Sequence, residues 1–125
     1  MNRQPTVSIV DDDPSVCASI NALMRSVKLP AETFASAKEF LDQFDSDQPG
    51  CLVLDLCMSG MSGLALQEEL HSRGAILPII FITAHGEVSC AVCAMKAGCQ
   101  DFLEKPFRGH QLLDCINRAL DLDSR

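Results

Sequence analysis

The sequence predicts an α/β domain built on five parallel strands that alternate with five helices. Short apolar runs alternate five times with longer segments whose apolar residues recur at helical spacing. The central strand candidates are apolar at almost every position, which is typical of strands that helices cover on both faces. Strands joined through helices in this way pair in parallel, because each crossover returns the chain to the same end of the sheet.

The first two strand–helix units occupy the first third of the chain. A β-branched run, Val7-Ser8-Ile9-Val10, stops at the acidic residues Asp11-Asp12-Asp13. Pro14 suits the first turn of a helix, and the aspartate before it is placed to cap that helix. A weaker strand, Glu32-Thr33-Phe34, then precedes Ser36-Ala37-Lys38-Glu39, which has the spacing of a capping box.

The third unit contains the most apolar strand candidate up to this point. The run Cys51-Leu52-Val53-Leu54 stops at Asp55. A glycine-containing loop leads from there into the third helix, and Gly74 marks the end of that helix.

The fourth and fifth units complete the pattern. The strand Ile79-Ile80-Phe81-Ile82 stops at Thr83, and the helix after it is predicted to end at Gly98. The fifth strand, around Phe102-Leu103, leads to Lys105-Pro106 and a last helix. For five such units we predict a doubly wound, flavodoxin-like sheet with strand order 2-1-3-4-5 and five flanking helices.

The composition predicts a soluble, acidic domain. The 125 residues are 47% hydrophobic and 22% charged, which fits one domain. The formal net charge of −7 argues against a nucleic-acid interface, because such an interface needs a basic face. The sequence shows neither an export signal nor an apolar stretch of membrane-spanning length, so we expect a cytoplasmic protein. Its seven cysteines are then expected to be reduced and mostly buried.

Polar residues follow the predicted strands at the points where the strands end. Asp11 and Asp12 follow the first strand, Asp55 the third, Thr83 the fourth and Lys105 the fifth. The first and third strands are neighbours at the switch point of the predicted order, so their carboxylates are expected to converge. This set of strand ends is the strongest indication of function in the sequence.

A cluster of carboxylates of this kind predicts a magnesium site. Mg²⁺ takes oxygen ligands and balances the repulsion between the acids. A magnesium ion beside an ammonium and a hydroxyl can hold and neutralise a phosphoryl group. A carboxylate can also accept phosphate covalently, and Asp55, between the acidic pair and the Thr83 and Lys105 side, is the candidate acceptor.

In this order and spacing, the strand-end motifs resemble the receiver domains of two-component response regulators. The resemblance is carried by Val10-Asp11-Asp12-Asp13, Leu54-Asp55, Ile82-Thr83-Ala84 and Glu104-Lys105-Pro106-Phe107. It extends from residue 7 to about residue 122, so residues 1–125 are expected to form a single receiver domain, with the output domain absent from this chain. Stretches such as Met61-Ser62-Gly63 look most like the FixJ branch, which usually carries a LuxR-type helix-turn-helix output domain.

The resemblance implies a role for each residue of the acidic site. Asp55 would take a phosphoryl group from a histidine of a sensor kinase. Asp12, Asp55 and the backbone carbonyl of Cys57 would bind Mg²⁺, with Asp11 supporting the site. Thr83 would bind a phosphoryl oxygen and move inward on phosphorylation.

The resemblance also assigns roles to the fifth strand and the residues after it. Lys105 would pair with the phosphate, and the Lys105–Pro106 bond is expected to be cis. Phe102 stands where the family has an aromatic switch residue. Its rotation would repack the fourth helix and fifth strand, the face through which such receivers dimerise. The implied function is a phosphorylation-dependent switch, the regulatory domain of a transcriptional regulator and not a metabolic enzyme.

Two alternatives stay open from the sequence. The run Asp11-Asp12-Asp13 after an apolar strand also fits a haloacid-dehalogenase-like phosphatase with Asp11 as nucleophile and Asp13 as acid/base. Such enzymes have a further acidic pair after a later strand, which this sequence lacks. A stand-alone receiver without a DNA-binding output domain has the same sequence features. Identifying the residue that accepts phosphate decides between the two functions, because a receiver would use Asp55 and a phosphatase would use Asp11.

Overall fold

The computed structural model of the protein describes residues 4–56, 58, 60–83 and 98–122. The fourth predicted helix lies outside these residues. Within them the chain forms five strands and four helices. In chain order they are β1 (Thr6–Val10), α1 (Pro14–Ser26), β2 (Ala31–Phe34), α2 (Ala37–Gln43), β3 (Gly50–Asp55), α3 (Gly63–Ser72), β4 (Ile79–Thr83), β5 (Asp101–Glu104) and α4 (Gly109–Leu122).

The strands form one parallel sheet in the order β2-β1-β3-β4-β5, which confirms the predicted order. In the pairing of β1 with β3, Val10 lies opposite Leu54. In the pairing of β3 with β4, Asp55 lies opposite Ile82. Because all the strands run the same way, their C-terminal ends lie along one edge of the sheet.

Local signals determine where α1 begins and which face it buries. The Asp13 side chain accepts a hydrogen bond from the amide of Ser15, and Pro14 occupies the first turn, which confirms the predicted cap. The buried residues recur at helical spacing along one face of the helix, which packs on the sheet. They are Cys17, Ile20 and Met24.

Serine caps begin the next two helices. The Ser36 side chain accepts from the amide of Glu39, whose carboxylate accepts from the amide of Ala35. This is the predicted capping box, with its return bond one residue before the cap. At the start of α3, the Ser62 side chain accepts from the amide of Ala65.

Two apolar layers enclose the sheet. One layer contains α1 and α4 and covers Val7, Ile9, Val53, Ile80 and Ile82. The other contains α2 and α3 and covers Val10, Leu52, Leu54 and Phe81. Every residue of β3 and of β4 is buried, and each such aliphatic side chain contributes about 1.5–3 kcal/mol. Both apolar layers therefore hold β3 and β4 in place, including the residues at their C-terminal ends.

Among the residues that the structure describes, no helix has the length and apolar character needed to cross a membrane.

Gly50 begins β3 at a position that admits no side chain. Its φ is 145°, and a Cβ built there would lie 1.9 Å from the carbonyl oxygen of Thr6. Gly74, after α3, has a φ of 73°, but no described atom lies within 4 Å of its Cβ position. Both positions therefore strain a residue that has a side chain, but only Gly50 adds a steric overlap.

We expect Gly50→Ala to lower the free energy of unfolding by about 3 kcal/mol or more, because the added methyl group displaces β1 as well as straining the backbone. The matched control, Gly74→Ala, should cost only about 1–2 kcal/mol. Urea denaturation followed by circular dichroism measures both values. Equal losses in the two variants would contradict the steric explanation.

Candidate functional site

Three carboxylates meet at the C-terminal edge of the sheet. Asp11 and Asp12 directly follow β1, and Asp55 is the last residue of β3. One carboxylate oxygen from each residue lies within 4.8 Å of the other two. Asp11 and Asp55 are buried, whereas Asp12 is exposed. The register of β1 and β3 thus brings together the acids that the sequence places at the switch point.

The Lys105 ammonium supplies positive charge to this cluster. Its Nζ donates a hydrogen bond to Oδ2 of Asp11 over 3.1 Å and lies 4.0 Å from Oδ2 of Asp55. Burial lowers the pKa of Lys105, but the hydrogen bond to Asp11 and the charges of Asp55, Asp11 and Asp13 outweigh this effect and hold the pKa above its usual value. Lys105 is therefore charged, and its charge offsets part of the repulsion between the two buried acids.

Thr83 and Lys105 reach the same edge from neighbouring strands. Thr83 ends β4 and is buried, and its carbonyl accepts a hydrogen bond from the amide of Lys105 over 2.7 Å. The Lys105–Pro106 peptide bond is cis. Because Asp55 lies opposite Ile82, Thr83 is one residue beyond the acid on the neighbouring strand. Thr83 thus flanks Asp55 on the side away from β1.

The start of α3 rests on the backbone of Asp55. The amide of Gly63 donates to the carbonyl of Leu56 over 3.1 Å. A Cβ at Gly63 would lie 2.4 Å from the Asp55 carbonyl oxygen and 3.0 Å from a ring atom of Phe81. Glycine therefore allows the helix to approach closely enough to support the backbone that carries the acid.

Phe102 lies on the edge strand β5 and is 36% exposed. Its neighbour Asp101 ties this strand to α4. Asp101 Oδ1 accepts from the amide of Phe102, while Oδ2 accepts from Nη2 of Arg118 over 2.7 Å and from the thiol of Cys115 over 3.3 Å. Burial raises the pKa of Asp101, but the hydrogen bonds from Arg118 and Cys115 outweigh it and lower the pKa. The carboxylate is therefore ionised and fixes β5 beside α4.

Two parts of the predicted machinery lie outside the described residues. One is Cys57, whose backbone carbonyl the resemblance implies as a magnesium ligand. The other is the fourth predicted helix, which is part of the expected dimer face.

The carboxylate cluster has the chemistry of a magnesium site. Its candidate ligand atoms are all carboxylate oxygens, the type that Mg²⁺ prefers. The exposed Asp12 leaves one side of the cluster open to an ion that keeps some of its water. Both oxygens of Asp11 accept hydrogen bonds, one from Lys105 and one from the amide of Asp13 over 2.9 Å. Asp11 therefore suits a supporting position better than a direct ligand position.

The sequence model of the response regulator receiver domain family matches residues 7–117 of this chain. This chain is a receiver domain of the response-regulator family. The receiver domain is 48% identical over 118 residues to the transcriptional regulatory protein TdiR of Thauera aromatica, which is 94% of this chain and 52% of TdiR. It is 42% identical over 114 residues to the transcriptional regulatory protein FixJ of Azorhizobium caulinodans, which is 91% of this chain and 54% of FixJ.

Solved structures agree with this assignment. The receiver domain superimposes on the response regulator StyR with a TM-score of 0.92 and 48% identity, over 98% of this chain and 62% of that one. It superimposes on FixJ-N with a TM-score of 0.89 and 38% identity, over 96% of both chains. The predicted family and flavodoxin-like fold are confirmed. Members of this family are signalling proteins, and the receiver domain spans about half the length of the curated relatives it matches.

Two contacts of the receiver domain have no signature in its sequence. The Lys105–Asp11 hydrogen bond joins residues that are 94 positions apart. The thiol of Cys17 donates to the backbone carbonyl of Asp11 over 3.3 Å. Strand ends predict that Lys105 and the acids share an edge, but not which carboxylate takes the ammonium. The sequence predicts for Cys17 only what it predicts for all seven cysteines, that they are reduced and mostly buried.

At pH 7 we expect Lys105→Met to lower the free energy of unfolding by about 1–3 kcal/mol, because buried Asp11 loses a charge-assisted hydrogen bond. Lys38→Met removes an exposed lysine from α2 and should change this free energy by less than about 0.5 kcal/mol. Urea denaturation at low ionic strength compares the two variants. A Lys105→Met protein as stable as the wild type would contradict the electrostatic role of this lysine.

Titration of the Cys115 thiol makes the free energy of unfolding vary with pH in the alkaline range. Burial, the hydrogen bond to Asp101 and the charge of Asp101 together raise its pKa from 9.0 to about 11. The unfolded chain therefore loses this proton first, so the stabilisation is complete below about pH 9 and disappears as pH rises towards 11. We expect wild-type stability to fall more steeply across this range than that of Cys115→Ser. Parallel curves in urea denaturation would rule out this contribution.

Proposed function

We propose that the protein is a phosphorylation-dependent switch in which Asp55 accepts a phosphoryl group from a histidine of a sensor kinase. The observation that carries the proposal is the meeting of three carboxylate oxygens within 4.8 Å of one another, with the Lys105 ammonium 4.0 Å from Asp55. Membership of the receiver family supports the same assignment. Asp55 is central in this arrangement, because it ends the strand that lies between β1 and β4.

In the proposed transfer, a carboxylate oxygen of Asp55 attacks the phosphorus of the phosphohistidine. The P–O bond forms as the P–N bond breaks, and the imidazole nitrogen leaves with the electron pair of that bond. The negative charge of the phosphoryl oxygens then lies next to Asp55. Lys105 pairs with one of these oxygens, and the Thr83 hydroxyl binds another.

Asp12, Asp55 and the backbone carbonyl of Cys57 are the proposed Mg²⁺ ligands, with Asp11 supporting the site. When bound, the ion neutralises phosphoryl charge and allows an anionic acceptor to meet an anionic donor. The oxygen-only set of side-chain donors supports this choice of metal. In this proposal Asp11 holds the Lys105 ammonium beside the acceptor through their 3.1 Å hydrogen bond.

The proposed output of the switch runs through β4 and β5. Thr83 ends β4, and Phe102 lies on β5 opposite Phe81. Movement of Thr83 towards the phosphoryl group opens space for the partly exposed Phe102 ring to rotate inward. A small change of charge would then bias the packing of one face. That face, formed by the fourth predicted helix and β5, is the proposed surface of a phosphorylation-dependent homodimer.

We propose that residues 1–125 act as one receiver domain that controls a DNA-binding output domain in a longer protein. The names of TdiR and FixJ, both transcriptional regulatory proteins, support this output. The receiver itself is not proposed to contact nucleic acid, in keeping with its net charge of −7. Its phosphoryl chemistry serves signalling and not the turnover of a metabolite.

Intact-mass measurement after incubation with Mg²⁺ and a small acyl phosphate tests the acceptor. We expect one phosphoryl adduct on the wild type, dependent on Mg²⁺ and labile to base, and none on Asp55→Asn. Asp114→Asn changes an exposed acid on α4 and should be modified like the wild type. An adduct that survives Asp55→Asn would overturn the assignment and favour Asp11. Turnover of a phosphomonoester would then test the phosphatase alternative directly.

A further inference from the structure

All four polar groups of Asp11 have hydrogen-bond partners. Its amide donates to the carbonyl of Phe34 over 3.2 Å. Its carboxylate accepts from Lys105 over 3.1 Å and from the amide of Asp13 over 2.9 Å. Its carbonyl accepts from the thiol of Cys17 over 3.3 Å. The residue is therefore anchored at once to the end of β2, to the lysine after β5 and to α1.

The thiol of Cys17 donates to a backbone carbonyl, that of Asp11, which the helix amides do not use. The amides of Val16 and Cys17 both donate to the carbonyl of Asp13, so the first turn of α1 does not use the Asp11 carbonyl. Cys17 Sγ lies 3.3 Å from that carbonyl oxygen and 4.0 Å from the carbonyl oxygen of Phe34. Because a thiol has a single hydrogen, the nearer Asp11 carbonyl is its acceptor, while the Asp11 amide donates to the carbonyl of Phe34 at the end of β2.

A cleft of about 370 Å³ that opens to solvent adjoins α1, and its lining includes Cys17, Asn21 and Thr33 together with Asp11 and Asp12. The segment that holds the two acids therefore borders solvent on this side, and its described contacts with α1 include the hydrogen bond from the Cys17 thiol to the Asp11 carbonyl.

We propose that Cys17 is a positioning residue whose thiol holds the Asp11 backbone so that the Asp11 carboxylate meets Lys105 and supports Mg²⁺ at the acidic cluster. This inference rests on the proposed function, because it concerns the same metal site. Cys17 contacts neither the ion nor the phosphoryl group and acts through Asp11. A thiol is a weak donor, so its removal weakens metal binding without abolishing it.

The surroundings of Cys17 keep its thiol in the donor form. Burial raises the pKa of Cys17, and the negative charge of Asp11 raises it further. The thiol is therefore protonated at neutral pH and has a hydrogen to give to a carbonyl. A protonated, buried thiol is also a poor nucleophile, which suits a hydrogen-bonding role.

The test compares Cys17→Ala, which removes the donor, with Cys17→Ser, which keeps one. Cys51→Ala is the matched control, because it removes a thiol from the same apolar cluster near the opposite end of β3. The chain contains neither Trp nor Tyr, so Mg²⁺ binding is measured by isothermal titration calorimetry in place of intrinsic fluorescence. The rate of phosphorylation by an acyl phosphate is measured in parallel over a range of Mg²⁺ concentrations.

We expect Cys17→Ala to weaken Mg²⁺ binding by about three- to tenfold, the equivalent of one hydrogen bond. Cys17→Ser and Cys51→Ala should stay within about twofold of the wild type, which is less than one hydrogen bond. At saturating Mg²⁺, Cys17→Ala should be phosphorylated at nearly the wild-type rate, because Asp55 and Lys105 are unchanged and the bound ion restores the order of the Asp11 segment. This division between affinity and rate distinguishes positioning of the metal site from general loss of structure.

The positioning role is wrong if Cys17→Ala binds Mg²⁺ as Cys51→Ala does, or if Cys17→Ser loses as much affinity as Cys17→Ala. Either result leaves the receiver function intact, provided that the wild type binds Mg²⁺ and takes up a phosphoryl group. A wild type that does neither overturns the proposed function and this inference together.

A measurement on the folded wild type covers the case in which Cys17→Ala does not fold. The Raman S–H stretching band that Cys17→Ser removes belongs to Cys17, and we expect this band to shift when Mg²⁺ is added to the wild type. An unshifted band would contradict coupling between the thiol and the metal site.

Discussion

Two buried carboxylates end neighbouring strands, and the charge of Lys105 offsets the resulting repulsion. Asp11 and Asp55 are 1% and 6% exposed, and like charges at such depth repel far more strongly than they do in water. Lys105 reaches them from the end of β5, two strands away from β3, because every strand of the sheet ends at the same edge. The parallel order of the sheet is therefore a condition for the site as well as for the core. With three acids and one ammonium in contact range, the cluster keeps an excess of negative charge that suits a divalent cation.

The helices contribute by fixing the backbone at the strand ends. α3 begins at a glycine that touches the Asp55 carbonyl, so the acceptor candidate is supported directly by a helix. Asp13, the N-cap of α1, comes immediately after the acidic pair, and the Cys17 thiol of this helix donates a hydrogen bond to the Asp11 carbonyl. Asp11 and Asp55 are thus each held by main-chain contacts, while their carboxylates face the cluster. The short segments at the ends of β1 and β3 therefore carry both the carboxylates of the cluster and the backbone contacts that hold them.

Much of this arrangement could be predicted from the sequence because its signals are local. The buried runs of β3 and β4, the Asp13–Pro14 helix start and the Ser36–Glu39 capping box each depend on residues a few positions apart. The topology then places the polar strand ends on one edge. Contacts between side chains from distant segments could not be predicted in this way, because they depend on rotamers and packing. The choice of Asp11 over Asp55 as the hydrogen-bond partner of Lys105 and the Cys17 thiol bond are examples.

The two strands at the margins of the sheet also bear on how the protein behaves at high concentration. β2 and β5 have four residues each, and both carry an exposed acid, Glu32 on one and Glu104 on the other. A short margin with repelling charges is a poor template for hydrogen bonding to the backbone of a second chain. The long apolar strands, which would aggregate readily if they were uncovered, lie inside this acidic border. Acidic residues thus serve two parts of the sheet, because those at the strand ends form the candidate cation site and those on the outer strands oppose β-aggregation.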